Sequence, residues 1–264
     1  MSGARSSLGL VFFGGLVLAF LMAHVLVIVP MSFSPSKFLE FPPRGFSLRW
    51  YGEYWRTESW TDSTLLSAKV AALTVLAAVP VGTLAALVLV RGRIPGKRIL
   101  HALIVAPLIV PAIVLAIATY GVYAKLRLIG TTVGLVLAQT VLHVPYVVLI
   151  VSAALTRFDR SLELAAMNLG ASRFVALGRV TFPLVSPAIM ASAVLTFVLS
   201  FDELVVSMFL LGTRRHTLPV QMFAELNFSL TPVVAAVSSL LVVLALVAVL
   251  CWSLVSRDAP TGAR

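Results

Sequence analysis

Six stretches of this 264-residue chain are each long and apolar enough to cross a lipid bilayer, and few folds are open to such a chain. They are Leu8–Val29, Leu65–Val90, Ile99–Tyr120, Val133–Leu155, Leu184–Leu211 and Val233–Val255. Hydrocarbon offers no partner to a backbone N–H or C=O, so each run must satisfy its own groups as a helix. The expected fold is therefore all-α: a polytopic membrane bundle of about six transmembrane helices, read as one membrane domain over residues 1–264. Pro80, Pro107, Pro111 and Pro145 lie inside these runs, where neighbouring helices can satisfy the groups they free. Charged residues make up only 11% of the chain, less than half the roughly 25% usual for a soluble domain. The first run follows Arg5 like a signal peptide, but it exceeds an h-region of about 7–15 residues and no A-x-A site follows it. It is read as a retained first helix.

The formal net charge of +10 would suggest nucleic acid on a soluble module, but these basic residues lie between apolar runs. Cytoplasmic retention and anionic lipid headgroups account for them there, and no nucleic-acid partner is expected. Arg91, Arg93, Lys97 and Arg98 fill one linker and four arginines the segment from Arg157 to Pro183. With Arg5, Arg257 and Arg264 they place about eleven basic residues on one side against about eight on the other, which favours both termini in the cytoplasm. Cys251 is the only cysteine, and His24, His101, His143 and His216 are scattered, so neither a disulfide nor a metal site is expected. No clustered nucleophile and base suggests an enzyme, although a membrane enzyme remains the competing class. No G-x-x-x-x-G-K-[ST] is present to cradle a nucleotide phosphate.

The segment of about 156–183 is different in character. Asp159 can cap a helix whose first turn holds Ser161 and Glu163. Leu162, Ala165, Ala166 and Leu169 then share one face, and Gly170 is placed to end the helix in a left-handed cap. Ser172 can start a second short helix with Phe174 and Leu177 before Pro183 opens the fifth span. Two short amphipathic helices joined at a glycine suit docking into another protein's groove, or lying on headgroups.

The run Ala165-Ala166-x-x-x-Gly170, nine residues, then Val180-x-Phe182-Pro183 resembles the EAA loop of ABC importer permeases, whose pattern is E-A-A, three residues, G, nine residues, I-x-L-P. Leu164 stands where the glutamate belongs, and Glu163 lies one residue early, on a different face. Pro107-Leu-Ile-Val-Pro111, Gly134-Leu-Val-Leu-Ala-Gln-Thr with Pro145-Tyr146, Ser200-Phe-Asp-Glu203 and Thr217-Leu-Pro219 resemble the spermidine/putrescine branch of that family. The resemblance implies a type I importer permease in the bacterial inner membrane, without cofactor. Its partners would be a second permease (a different chain in that branch), an ABC ATPase dimer and an extracytoplasmic substrate-binding protein. Leu164, Ala165, Ala166, Gly170, Ala171 and Pro183 would be the positions coupled to the ATPase.

Lys69, near the start of the second run, and Asp202 and Glu203, within the fifth, are the ionisable residues inside spans. Such a group costs roughly 2.5–3.5 kcal/mol at a helix centre, so its presence is a functional hypothesis. Asp202 or Glu203 would attract a cationic solute such as a polyamine; the alternative is a structural ion pair with Lys69 or a partner chain. Tyr120, Tyr146 and Phe201 could offer cation–π faces along the pathway. Gln139 and His143, one turn apart, could line a polar seam or hydrogen-bond a neighbouring helix. The aromatic stretch Trp50–Trp60 reads as an outer interfacial belt, or as a surface that meets the binding protein. Solutes other than polyamines, such as opines, phosphonate or inorganic ions, are carried by permeases with the same loop.

Overall fold

The computed structural model describes residues 3–213, 215–229 and 231–257. Arg264, counted above on the cytoplasmic side, lies outside them, as do the side chains of Arg5, His24, Cys251 and Arg257. The helices are α1 (Gly3–Ser32), α2 (Arg49–Arg56), α3 (Glu58–Arg91), α4 (Lys97–Val105), α5 (Ala112–Lys125), α6 (Thr132–Arg157), α7 (Ser161–Asn168) and α8 (Arg173–Ala176). They continue as α9 (Phe182–Phe201), α10 (Val205–Leu211), α11 (Leu218–Phe228) and α12 (Val233–Arg257). No strand occurs among the described residues, in keeping with the all-α reading.

Among the described residues four helices are long and apolar enough to span a bilayer, and a bent pair makes a fifth. The sixth apolar run forms α12, a 25-residue helix whose side chains are described as far as Val247. Two runs expected as single helices are broken. The third breaks between Leu108 and Ala112, where its two halves meet at 102°. Pro107 falls in a short 3-10 turn and Pro111 restricts the residue before it, so the helix cannot be carried through. The fifth breaks at Asp202–Leu204, between α9 and α10.

The described residues form two compact units. In the first, residues 1–61 and 222–264, α12 packs on α1 and α2. The Tyr51 hydroxyl lies 2.7 Å from both Ser32 Oγ and Ser239 Oγ, joining the three helices. The Trp50 indole N–H donates to the Ser34 carbonyl at 2.8 Å. The aromatic belt is thereby corrected: Trp50, Tyr54 and Trp60 are buried, and Trp55 alone of the tryptophans here is exposed.

In the second unit, residues 62–221, α6 is the central helix. Near its start, Leu135 and Ala138 pack with Val70, Ala116, Val206 and Leu210. Near its end, Val147, Val151 and Leu155 pack with Ala86 and Val185. Helix α9 buries Val185, Ser192, Thr196 and Ser200, a face of mostly small hydroxyl side chains that permits close approach. The large exposed side chains, such as Leu84 and Val88 on α3 and Val194 and Val198 on α9, are apolar, as a lipid-facing surface requires.

Candidate functional site

The loop between α6 and α9 forms as its local chemistry dictates. Asp159 accepts hydrogen bonds from the Ser161 N–H at 2.9 Å and the Ser161 hydroxyl at 2.7 Å, although Arg160 occupies the N-cap position of α7. The Ser161 N–H and then its hydroxyl hold the Asp159 carboxyl below the ordinary carboxylate value. At the other end Gly170 has φ +91°. The Gly170 N–H reaches the Met167 carbonyl at 3.0 Å and the Ala171 N–H reaches Ala166 at 3.1 Å, the paired bonds of a Schellman cap. Ser172 then caps α8, accepting from the Val175 N–H. Five residues of π-helix, Leu177–Thr181, lead without interruption into α9, with Pro183 in its first turn.

This loop turns the usual helix pattern inside out. Leu162, Leu164 and Ala165 of α7 are exposed, as are Leu169 just after it and Phe174 and Val175 of α8, while the one buried side chain of α7 is Glu163. Ala166 and Ala171 are half-buried, and Gly170 and Pro183 are exposed. Glu163 is ion-paired with Arg91 at the end of α3, so the acid beside the motif alanines faces inward and Leu164 faces outward. Sequence reasoning counted Arg91 only as one of several cytoplasmic charges. The partners are 72 positions apart in the chain, which leaves no local signal that would have paired them.

The acidic pair lies at the second break. Glu203 turns onto the start of α10: its carboxylate accepts the N–H groups of Val206 and Ser207, both at 2.9 Å, and the Ser207 hydroxyl at 3.1 Å. This satisfies donors that the helix start leaves free. Behind it, buried Gln139 of α6 donates to Ser207 Oγ at 3.3 Å and accepts from the Ser200 hydroxyl of α9. Asp202 ends α9 and is exposed, and among the described residues its carboxylate meets no donor. The acids are thus not inside a continuous helix, as first expected, but at its interruption. Gln139 places that interruption seven residues from the start of α6, about 10 Å along a helix of 26 residues.

Lys69 is exposed and makes no salt bridge among the described residues, so it is no structural partner of either acid. His143 is buried and bonds back to the Gln139 carbonyl of its own helix at 2.7 Å, while the Gln139 side chain reaches α9 and α10. Tyr120 is exposed on α5 and Tyr146 half-buried beside His143, with ring centres 6.3 Å apart. Neither tyrosine is hydrogen-bonded to the acids. Phe201 stacks on Phe197 of its own helix. A cavity of about 310 Å³ beside the broken third span is lined by Pro107, Leu115, Tyr123, Ala138, Leu142 and Val206, with neither acid among its walls.

Comparison with known proteins agrees with this layout. The profile of the family "Binding-protein-dependent transport system inner membrane component" matches residues 78–257. The putrescine transport system permease protein PotI of Escherichia coli K12 is 34% identical over 246 residues, 90% of this chain and 87% of the relative. The spermidine/putrescine transport system permease protein PotC of the same organism is 31% identical over 249 residues, 93% of each chain. The crystal structure of a bacterial ABC transporter involved in import of the acidic polysaccharide alginate has the same fold, with a TM-score of 0.70 over 98% of this chain and 99% of that one at 17% identity. With matches of this extent, an inside-out loop and a set of apolar spans, the chain belongs to the binding-protein-dependent transport inner-membrane components and is a multi-pass inner-membrane permease subunit.

Proposed function

We propose that this permease forms, with a second permease chain, the pathway for a small organic cation of the putrescine or spermidine type. An ATPase dimer docks against α7 and α8 from the cytoplasm, where both termini also lie, and an extracytoplasmic binding protein delivers the solute. The single observation that carries the substrate class is the free, exposed carboxylate of Asp202 at a helix interruption. An uncompensated acid within a span is costly, and a cationic ligand offsets that cost. Glu203 serves a different purpose, since three donors at the start of α10 already occupy its oxygens. The polyamines named for the two E. coli relatives fit this charge.

The test is solute-stimulated ATP hydrolysis by the complex reconstituted in lipid, with putrescine or spermidine supplied through the binding protein. Asp202→Asn should lower stimulation about tenfold, as loss of one charge-assisted contact implies. Stimulation of Asp202→Asn equal to the parent would overturn the role of Asp202, and absence of stimulation by either amine would overturn the substrate class.

A further inference from the structure

Docking of an ATPase on α7 leaves open how a push on that helix reaches the membrane spans. The only buried side chain of α7 is a charged one, and burial of charge is costly unless the charge is paired and fixed. Glu163 Oε2 is paired with Arg91 Nη1, and the side chains are just 6% and 11% exposed. The hydroxyl of Thr181, itself fully buried, lies 3.4 Å from both Glu163 Oε2 and Arg91 Nη1. The Arg91 guanidinium also stands over the ring of Phe158, 5.1 Å from its centre. One cation therefore ties together the end of α3, the residue that closes α6, the first turn of α7 and the π-helical base of α9.

A leucine at 163 could pack there with less desolvation. A buried pair ties the two segments more firmly, because removing either partner strands the other charge. Thr181 ends the π-helical segment, where the five-residue hydrogen-bond spacing departs from regular α geometry. Movement of Glu163 thus acts on the base of α9 and on α3 together, and the outward face of α7 stays free for the partner.

We infer that Arg91, Glu163 and Thr181 form a strut that transmits displacement of the α7–α8 loop to α3 and α9, acting as positioning residues for coupling. The inference rests on the permease reading above. Its test is the number of solute molecules imported per ATP hydrolysed, measured on complexes purified from lipid with their ATPase attached. Glu163→Gln keeps the side-chain size and removes the charge, and should lower that ratio about tenfold while hydrolysis continues. Thr181→Val, isosteric without the hydroxyl, should lower it about threefold. The exchange Arg91→Glu with Glu163→Arg should restore the ratio to within about threefold of the parent.

A tether that merely holds the loop in place predicts otherwise: import and hydrolysis would fall together with the amount of assembled complex. An unchanged ratio in both single variants overturns the strut, as does an exchanged pair that couples no better than Glu163→Gln. Should Glu163→Gln fail to assemble, the Thr181→Val ratio decides. If the parent chain binds no ATPase, the permease reading falls and the strut with it; if the parent couples and the variants couple equally, only the strut falls.

Discussion

Gly170→Ala isolates the conformation of the α7–α8 loop from its contacts. A Cβ built on Gly170 meets nothing within 4 Å, so the substitution adds no clash. The whole penalty is torsional, because φ is +91° and the two hydrogen bonds of the cap require that angle. An L-residue there costs about 1–2 kcal/mol, a five- to thirtyfold shift in equilibrium. If the ATPase recognises α7 and α8 in the arrangement set by the cap, its apparent Kd should weaken by up to about that factor. Titration of purified ATPase onto the permease pair in nanodiscs reads this directly. Gly170→Asn, which tolerates left-handed backbone, should lose less. Gly178→Ala is the control: its Cβ also meets nothing and its φ is not positive, so affinity should not change. Equal affinity of Gly170→Ala and the parent, within twofold, would refute the idea that docking depends on the turn at Gly170.

Two further outcomes follow from packing and titration. A Cβ on Gly82 of α3 would lie 2.6 Å from Val147 Cβ and 2.7 Å from Cγ1, so Gly82→Ala should destabilise the protein by about 1–3 kcal/mol. Thermal unfolding in detergent checks this, and Val147→Ala should recover only part of the loss, since its own Cβ remains in the way; an unchanged Tm for Gly82→Ala refutes it. Asp159 titrates below its ordinary value because the folded loop hydrogen-bonds its charged form. Its contribution is therefore complete above the unfolded value near 3.9 and is lost as pH falls through the folded value. Hydrogen exchange across 158–168 should thus be faster in Asp159→Asn than in the parent at pH 7, and the gap should close only as pH falls from about 3.9 through the lower folded value; a difference that persists below it refutes the assignment.

What was legible in the sequence is what local chemistry decides. Ser172 and Gly170 cap helices within three residues of themselves, and each apolar run needs only its own length to declare a span. The breaks were harder. Pro107 and Pro111 were visible, but whether a membrane helix bends at proline or passes through it depends on its neighbours: α6 carries Pro145 without interruption. Asp202 and Glu203 read as charges within a continuous helix because the competing partner for Glu203, the start of α10, exists only once the helix has broken. The aromatic belt failed for a similar reason, as the Trp50 indole finds a carbonyl sixteen residues away. Arg91 and Glu163 were the least legible, each unremarkable in its own segment.

Helix α9 gives the two sites a physical connection. Thr181, at its base, belongs to the charged cluster with Arg91 and Glu163; Asp202 follows its far end. Twenty helical residues between them, Pro187 among them, span about 30 Å. Its buried face of Ser192, Thr196 and Ser200 presents small side chains where bulky interlocking ones would resist sliding. The firm lateral tie near the far end is the bond from Ser200 to Gln139. If the proposed strut moves Thr181, the load would reach the hydrogen-bonded junction of Ser200, Gln139, Ser207 and Glu203, beside Asp202. The longest bond of that junction, Gln139–Ser207 at 3.3 Å, is the one whose opening would free α10 from α6 beside Asp202.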